Sequence, residues 1–414
     1  MEIIEVVGGV KPAEILKLLG RKPLVDESVL PVVREIVEAV RTRGDEAVAE
    51  YTEKFDGVKI APDEFEVTRE ELDEARSRAD MSFMDAVRES AGNIRRFCEA
   101  SKAGEVRLED ENILVEEWVT PLNSAGLYIP GGRFPYPSTV LMNAVPAKTA
   151  GVPEVIMCTP PDEDGEVDSN ILAVAAVTAV DRVFRIGGAQ AIAAMAYGTA
   201  TVPKVDKIAG PGNVYVMMAK REVFGEAGID MLAGPSEVLI IADASADADF
   251  VAQDMKAQAE HDPRALSILV TNAQYLAESV RAKVGDGNFK ILLVESIDDA
   301  VTISDIIAPE HLEILTENAD AVARMISNAG AIFIGPWTPA VVGDYIAGPN
   351  HTLPTNGTAR FASPLSVNDF VKRTSVIRYS KDALKAAAKD VKKLAETEGL
   401  KEHAKAIDVR IKKW

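Results

Sequence analysis

Histidine is scarce in this chain, and each histidine stands among groups that can bind a metal or move a proton. The 414 residues include four: His261, His311, His351 and His403. His261 lies in Ala257-Gln258-Ala259-Glu260-His261-Asp262-Pro263 and His311 in Ala308-Pro309-Glu310-His311-Leu312. His351 follows Gly343-Asp344-Tyr345-Ile346-Ala347-Gly348-Pro349-Asn350, and His403 closes Glu398-Gly399-Leu400-Lys401-Glu402-His403. None sits in a plain apolar run. Imidazole is the commonest metal ligand and the usual base near neutral pH, so the pattern suggests one shared constellation. Gln258 and His261 are three apart at the end of a helix expected over 247–260, and so share a face. Taken alone, that stretch is a frayed, solvated helix end; the count over the whole chain is what raises it.

Gln258, His261, Asp344 and His403 together offer one amide oxygen, two imidazoles and one carboxylate. A mixed N/O set without thiolate suits zinc, or less selectively manganese or cobalt. The amide is a weak ligand, which suggests a site that holds substrate rather than one built for stability. Alone, Asp344 reads as a turn residue between Gly343 and Tyr345. Glu310 and His311 would diverge on a helix, but in a loop or extended segment they can flank one reacting carbon and divide proton transfer between two steps. A solvated loop after Pro309 is the other reading of that pair. No GxGxxG follows a strand, so the usual dinucleotide fingerprint is absent. The turns at Gly131-Gly132, Gly187-Gly188 and Gly210-Pro211-Gly212 can bring backbone N–H groups to phosphates, though a plain tight turn accounts for each singly.

The elements that must position these residues change character along the chain. Residues 1–24 read as a short arm, with Pro12 where a first helical turn tolerates it. A helical region over 28–101 breaks at Gly44 and Gly57, and Thr68-Arg69-Glu70-Glu71 fits a capping box. From Ile113 short apolar runs alternate with helical stretches. Strands are expected at 115–119, 127–129, 154–158, 183–186, 207–209, 238–242, 267–270, 291–294 and 331–334. This rhythm predicts an α/β protein with parallel sheets covered by helices on both faces. The run is long for one sheet, so two Rossmann-like domains are expected. Ligands in such folds sit beyond the carboxyl ends of the strands, where the glycine-rich turns fall. After about Leu365 the pattern is helical and lysine-rich, with amphipathic helices expected over 381–396 and 400–410.

Composition bounds the function classes. The net charge is −20 and the pI about 4.8, which argues against nucleic acid and anionic membranes as partners. Two cysteines, Cys98 and Cys158, make no disulfide framework and no CxxC. The N-terminus lacks a basic region followed by an apolar run, so no signal peptide is expected, and the most apolar stretch, 171–180, is too short to span a bilayer. A cytoplasmic protein fits. These features do not separate a nicotinamide-linked enzyme from a zinc-dependent hydrolase or from a non-catalytic metabolite-binding protein.

The motifs taken together resemble the histidinol dehydrogenase family from about Leu30 to Arg410. The carrying segments are Tyr128-Ile129-Pro130-Gly131-Gly132, Gly187-Gly188-Ala189-Gln190-Ala191, Ala209-Gly210-Pro211-Gly212-Asn213 and Ala233-Gly234-Pro235-Ser236-Glu237. They continue through Gln258-Ala259-Glu260-His261, Ala308-Pro309-Glu310-His311-Leu312, Gly343-Asp344-Tyr345, Gly348-Pro349-Asn350-His351 and Glu398-Gly399-Leu400 with His403. The resemblance implies oxidation of L-histidinol to L-histidine through histidinaldehyde with two NAD+, the last steps of histidine biosynthesis. It implies Zn2+ held by Gln258, His261, Asp344 and His403, against the substrate's imidazole and amino nitrogens. It places Ser236, His351 and Glu398 on substrate and Tyr128, Gln190 and Asn213 on NAD. His311 would take the hydroxyl proton and Glu310 would activate water on the aldehyde. The implied domains are an arm over 1–24, a first α/β domain from 25–127 with 237–365, an NAD-binding domain over 128–236, and a tail over 366–414. That tail would be exchanged in an intertwined homodimer with shared active sites.

Overall fold

The structure, a computed structural model, describes residues 3–6, 10–21, 26–131 and 134–412, without the side chain of His261. Gly132 of the first glycine-rich turn and parts of the 1–24 arm lie outside these residues. The chain forms two compact units: Met1–Ser101 with Leu122–Phe370, and Lys102–Pro121 with Val371–Trp414.

The first unit holds two parallel sheets. Glu237–Ala242 and Leu266–Thr271 are buried along their whole length, as strands must be when helices cover both faces. The larger sheet runs Ile3–Glu5, Phe289–Leu293, Leu266–Thr271, Glu237–Ala242, His311–Leu315, Ala331–Ile334. The smaller runs Arg182–Arg185, Glu154–Thr159, Ser124–Tyr128, Lys207–Ala209, Gly228–Ile229. Numbered from its own first central strand, each has the order 3-2-1-4-5, with Ile3–Glu5 added at the edge of the larger. Right-handed crossovers from such an order place the helices that follow the first two strands on one face and the helices that follow the reversal on the other. In the larger sheet Leu239, Ile241 and Val270 accordingly pack with Ile15, Leu19 and Ile303, while Val238, Ile240 and Leu269 pack with Val251, Met255 and Leu276. In the smaller, Ile156, Phe184 and Ile208 share a cluster with Val37, Tyr51, Ile192 and Met218.

Most expected elements are present. The strands at 154–158, 183–186, 238–242, 267–270, 291–294 and 331–334 are met to within two residues. Gly44 and Gly57 break the N-terminal helices at positive φ. The capping box forms: Thr68 Oγ1 accepts the Glu71 N–H at 3.2 Å and Glu71 Oε2 accepts the Thr68 N–H at 2.7 Å. The lysine-rich helices are Lys381–Thr397 and Lys401–Ile411. One expectation fails. The chain after Leu365 is not simply helical, because Val371–Tyr379 is a strand. Val371, Thr374, Val376 and Ile377 are β-branched and suit a pleated edge better than a helix, and the strand pairs antiparallel with Ile113–Pro121 along its full length. With Val106–Glu109 these strands form a third, antiparallel sheet, wholly within the second unit.

The N-terminal segment is part of the larger sheet. Besides Ile3–Glu5, it supplies the helix Pro12–Leu19 and then Arg21. The Arg21 guanidinium forks onto both oxygens of Glu237 at 2.8 Å and donates to Ile307 O at 2.7 Å. Both side chains of the pair are largely buried. Removing one partner of such a pair leaves an uncompensated buried charge. Arg21→Met is therefore expected to lower the unfolding free energy by about 3–5 kcal/mol, read as a lower urea midpoint. A midpoint within error of wild type would show that the pair contributes nothing.

Candidate active site

Glu310 and His311 lie at the amino end of the strand His311–Leu315, and the backbone fixes them there. Ala308 ends the preceding helix at φ +49°, which turns the chain before Pro309. The Gly330 N–H then donates to Pro309 O and the Ala331 N–H to Glu310 O, both at 2.9 Å. A Cβ on Gly330 would stand 2.5 Å from Glu310 O, so glycine is required for the two backbones to pass. The pair is buried, each residue 5% exposed, which rules out the solvated-loop reading. Glu310 Oε2 accepts the N–H of Glu237 at 2.8 Å. His311 Nδ1 lies 3.3 Å from Glu237 O and 3.6 Å from Glu310 Oε2. His311 Nε2 lies 3.5 Å from Asp344 Oδ1.

Burial pushes the Glu310 carboxyl up, to about 8, against the downward pull of His311. Burial also works against charge on His311, but the carboxylates of Glu310 and Asp344 outweigh it and hold the ring up at about 9. Both groups thus hold their protons at neutral pH and give them up on the alkaline side, and the two neighbours can serve as bases of different strength.

Asp344 is not a turn residue. It lies in the helix Ala340–Tyr345, buried, and its carbonyl oxygen is 3.0 Å from His351 Nδ1. Gln258 is likewise no part of a solvated helix end: it is buried, and its amide nitrogen has no hydrogen-bond partner. The helix that carries it, Ala248–His261, includes His261, whose side chain lies outside the described residues. Ser236 is half-buried, and its backbone oxygen receives the Leu266 N–H at 3.1 Å. Glu310, His311, Asp344 and His351 are thus gathered in the first unit. Glu398 and His403 belong to the second unit, where both are exposed.

Two buried acids that the sequence pattern did not single out support this cluster. Glu313 is two residues beyond His311, so it projects from the same face of the strand. Burial and the neighbouring Asp254 push its carboxyl up to about 8. Glu313 Oε1 accepts the Ala340 N–H at 2.6 Å, which anchors the start of the Asp344 helix. Asp254 precedes Gln258 by one turn on its helix, and its carboxyl lies beside that of Glu313. The two acids thus set the Gln258 helix against the His311 strand. The available signal was an acid inside the apolar run His311-Leu312-Glu313-Ile314-Leu315.

The cluster sits at the amino ends of the larger sheet's strands, opposite to the expected carboxyl ends. Beyond the carboxyl ends of Glu237–Ala242 and His311–Leu315 stands the protein's own Asp243. Its carboxylate accepts the Ser245 and Glu317 N–H groups, each at 2.9 Å. The smaller sheet keeps the expected arrangement. Its strand order reverses between Ser124–Tyr128 and Lys207–Ala209, and Tyr128 and Gly210 stand at their carboxyl ends. Gly210 has φ +119°, and a Cβ there would meet Tyr128 O at 2.1 Å. The Gly210 peptide is gripped from both sides: its N–H donates to Asp230 at 2.8 Å and its oxygen accepts from Lys220 Nζ at 2.9 Å. Lys220 and Asp230 form a buried ion pair. Asn213 Oδ1 caps the next helix through the Tyr215 and Val216 N–H groups. Tyr128 Oη accepts the Gly188 N–H at 3.0 Å. Gln190 is 1% exposed, and neither atom of its amide has a partner.

Known proteins are similar to this chain over nearly its whole length. The histidinol dehydrogenase family profile matches residues 19–411. A histidinol dehydrogenase from Heliobacterium mobile is 46% identical over 412 residues, covering 95% of this chain and 96% of that protein. One from Chlorobium luteolum is 47% identical over 416 residues, covering 96% and 94%. The crystal structure of histidinol dehydrogenase from Elizabethkingia anophelis superposes with a TM-score of 0.93 at 33% identity, covering 99% of this chain and 98% of that one. These likenesses give the zinc-hydrolase alternative no support. The chain belongs to the histidinol dehydrogenase family.

Proposed function

We propose that this chain oxidises L-histidinol to L-histidine through histidinaldehyde, consuming two NAD+ per substrate, as the last steps of histidine biosynthesis in the cytoplasm. The observation that carries the reading is the buried Glu310–His311 pair, two bases 3.6 Å apart in a chain of this family. Between alcohol and carboxylate one water enters, and two hydrides and three protons leave. In the first half His311 takes the hydroxyl proton. In the second Glu310 takes a proton from the water that adds to the aldehyde carbon, and the hydrated aldehyde is then oxidised to the acid. NAD+, when bound, accepts the hydride of each half, and zinc, when bound, supplies a fixed cation for the substrate's imidazole and amino nitrogens.

Among the described residues no three His, Cys, Asp or Glu side chains are grouped as metal ligands. Gln258 nevertheless fits a metal, because its buried amide nitrogen lacks a partner. The two ends of an amide exchange by rotation about the last side-chain bond, so the same position can turn an oxygen toward a cation. Asp344 would add a buried carboxylate, and His261 and His403 would complete the N/O set. Both cysteines are free and buried, and neither enters it. Ser236, His351 and Glu398 would hold the substrate. Tyr128, Gln190 and Asn213 would hold NAD, a reading supported by the strand-order reversal beside Tyr128. The region 128–236 would serve the cofactor, and 25–127 with 237–365 the chemistry. Glu398 and His403 would reach the partner's site in a homodimer. The exchanged tail, 366–414, would then carry Lys102–Pro121 with it, since strand pairing makes these one unit.

Mixing the protein with histidinol and excess NAD+ is expected to yield two NADH per substrate, followed by absorbance. Chelation abolishes the signal and zinc restores it; a metal-free protein that turns over at the full rate would remove zinc from the reading.

The two bases separate by half-reaction. His311→Asn slows alcohol oxidation, and Glu310→Gln slows oxidation of supplied histidinaldehyde more, each by roughly 10²–10⁴-fold. Glu310 acts ionised and its carboxyl is held up at about 8, so the aldehyde rate of the wild type rises with pH through about 8. Glu310→Gln lacks that limb. An unchanged aldehyde rate in Glu310→Gln would contradict the assigned role.

His261→Ala and His403→Ala homodimers are each expected to be inactive. Co-expressed, half the dimers are mixed, and each mixed dimer has one site without either lesion. Roughly a quarter of wild-type activity returns if sites are independent. Mixed dimers shown to form and to stay inactive would place His403 in its own chain's site, or outside any site.

A further inference from the structure

Asp56 is a carboxylate with no partner in a place where the protein gives it no reason to be charged. It ends the helix Asp45–Asp56, it is half-buried, and its Oδ2 is sealed from solvent without a hydrogen bond. A Cβ built on Gly187 would stand 3.3 Å from Asp56 Oδ1 and 2.6 Å from Pro160 Cβ. On the other side of that turn are Tyr128 Oη, bonded to the Gly188 N–H, and the fully buried, unpartnered Gln190 amide. Three polar side chains thus converge on one turn at the carboxyl ends of the smaller sheet, and two of them have unused hydrogen-bonding capacity. Buried polar groups left in this state call for a ligand.

The chemistry of the group selects the ligand. An ionised carboxylate only accepts hydrogen bonds, so it asks for donors and repels phosphate. The Gly188 N–H, the first donor of the helix Gly188–Tyr197, is already spent on Tyr128. A ribose hydroxyl is such a donor, and an acid placed beside the turn that follows a strand is a general means of reading a ribose. We propose that Asp56 accepts the ribose hydroxyls of the dinucleotide and thereby sets the preference for NAD over NADP. This rests on the reading that places NAD at Tyr128, Gln190 and Asn213. Burial holds the Asp56 carboxyl up at about 6, still mostly ionised at neutral pH, as an acceptor must be.

Calorimetric titration of the zinc-supplemented full-length protein with NAD+ and with NADP+ tests this. Wild type should bind NAD+ more tightly, and equal affinities would overturn the assignment without recourse to any variant. Asp56→Asn and Asp56→Ser should each weaken NAD+ by roughly tenfold or more, the loss of a charged hydrogen bond, and should shrink the NAD+/NADP+ preference. Their thermal midpoints should not fall, because Asp56 has no partner to lose. Gln190→Ala separates the two levels of the argument. If it leaves the NAD+ affinity unchanged, the cofactor site lies elsewhere and both readings fall. If it weakens NAD+ while both Asp56 variants keep the wild-type preference, the Asp56 assignment alone falls.

Discussion

The candidate site depends on a buried ion pair that does no chemistry. Arg21 grips both oxygens of Glu237, and the Asn356 N–H adds a third contact at 3.1 Å. With its side chain fixed, Glu237 presents its own backbone to the reactive pair: its N–H to Glu310 and its carbonyl to His311. One residue at the amino end of the central strand therefore sets both the position of the acid and the orientation of the ring. Burial still leaves the Glu237 carboxyl above its ordinary value despite Arg21, so the pair is an expensive fixture for stability. Its return is geometric, since catalytic groups must be held to within a fraction of an ångström by partners that are themselves locked.

The same burial explains how Glu310 can act as a base without leaving the interior. A shift of one pKa unit corresponds to about 1.4 kcal/mol. With the carboxyl at about 8, ionising it at pH 7 costs about that much, a small fraction of a catalysed barrier. An ordinary surface glutamate would be ionised at no cost but would be a far weaker base. Glu313 meets a similar environment and is used differently: its oxygen anchors the Ala340 N–H, and its contact with Asp254 joins strand to helix. Two buried glutamates on adjacent parts of one strand thus divide into a group free to change protonation and a group committed to structure.

Much of this was legible before any coordinates. The parallel strands declare themselves as short runs of Val, Ile and Leu between glycine-rich joins, and the capping box at Thr68 is local in origin. The scarcity of histidine drew attention to Glu310, His311 and Asp344. What the sequence hid was long-range. The strand Val371–Tyr379 carries Lys372, Arg373 and Arg378 and directly follows the short turn Val367–Phe370, and only its partner, Ile113–Pro121, makes it a strand. His311–Leu315 begins with the very residues that read as loop chemistry. Arg21 and Glu237 are 216 positions apart, and no local rule pairs them. The choice of amino over carboxyl strand ends is also non-local, since it depends on how the two sheets are joined.

That choice follows from how the two sheets are joined. The last strand of the smaller sheet ends at Ile229 and the first central strand of the larger begins at Glu237, so only the segment 230–236 separates them. Seven residues span at most about 25 Å when fully extended. Within that segment Asp230 holds the Gly210 turn at one end, and Ser236 precedes Glu237 at the other. A chain leaving the carboxyl end of one parallel sheet necessarily enters the next at its amino end. Groups that must act on one substrate with one cofactor, if they are to stay within reach of this short link, therefore lie at carboxyl ends in the first sheet and at amino ends in the second. The inverted placement of Glu310 and His311 is thus what the connectivity of two like-ordered sheets in tandem requires if, as proposed, the cofactor occupies the first.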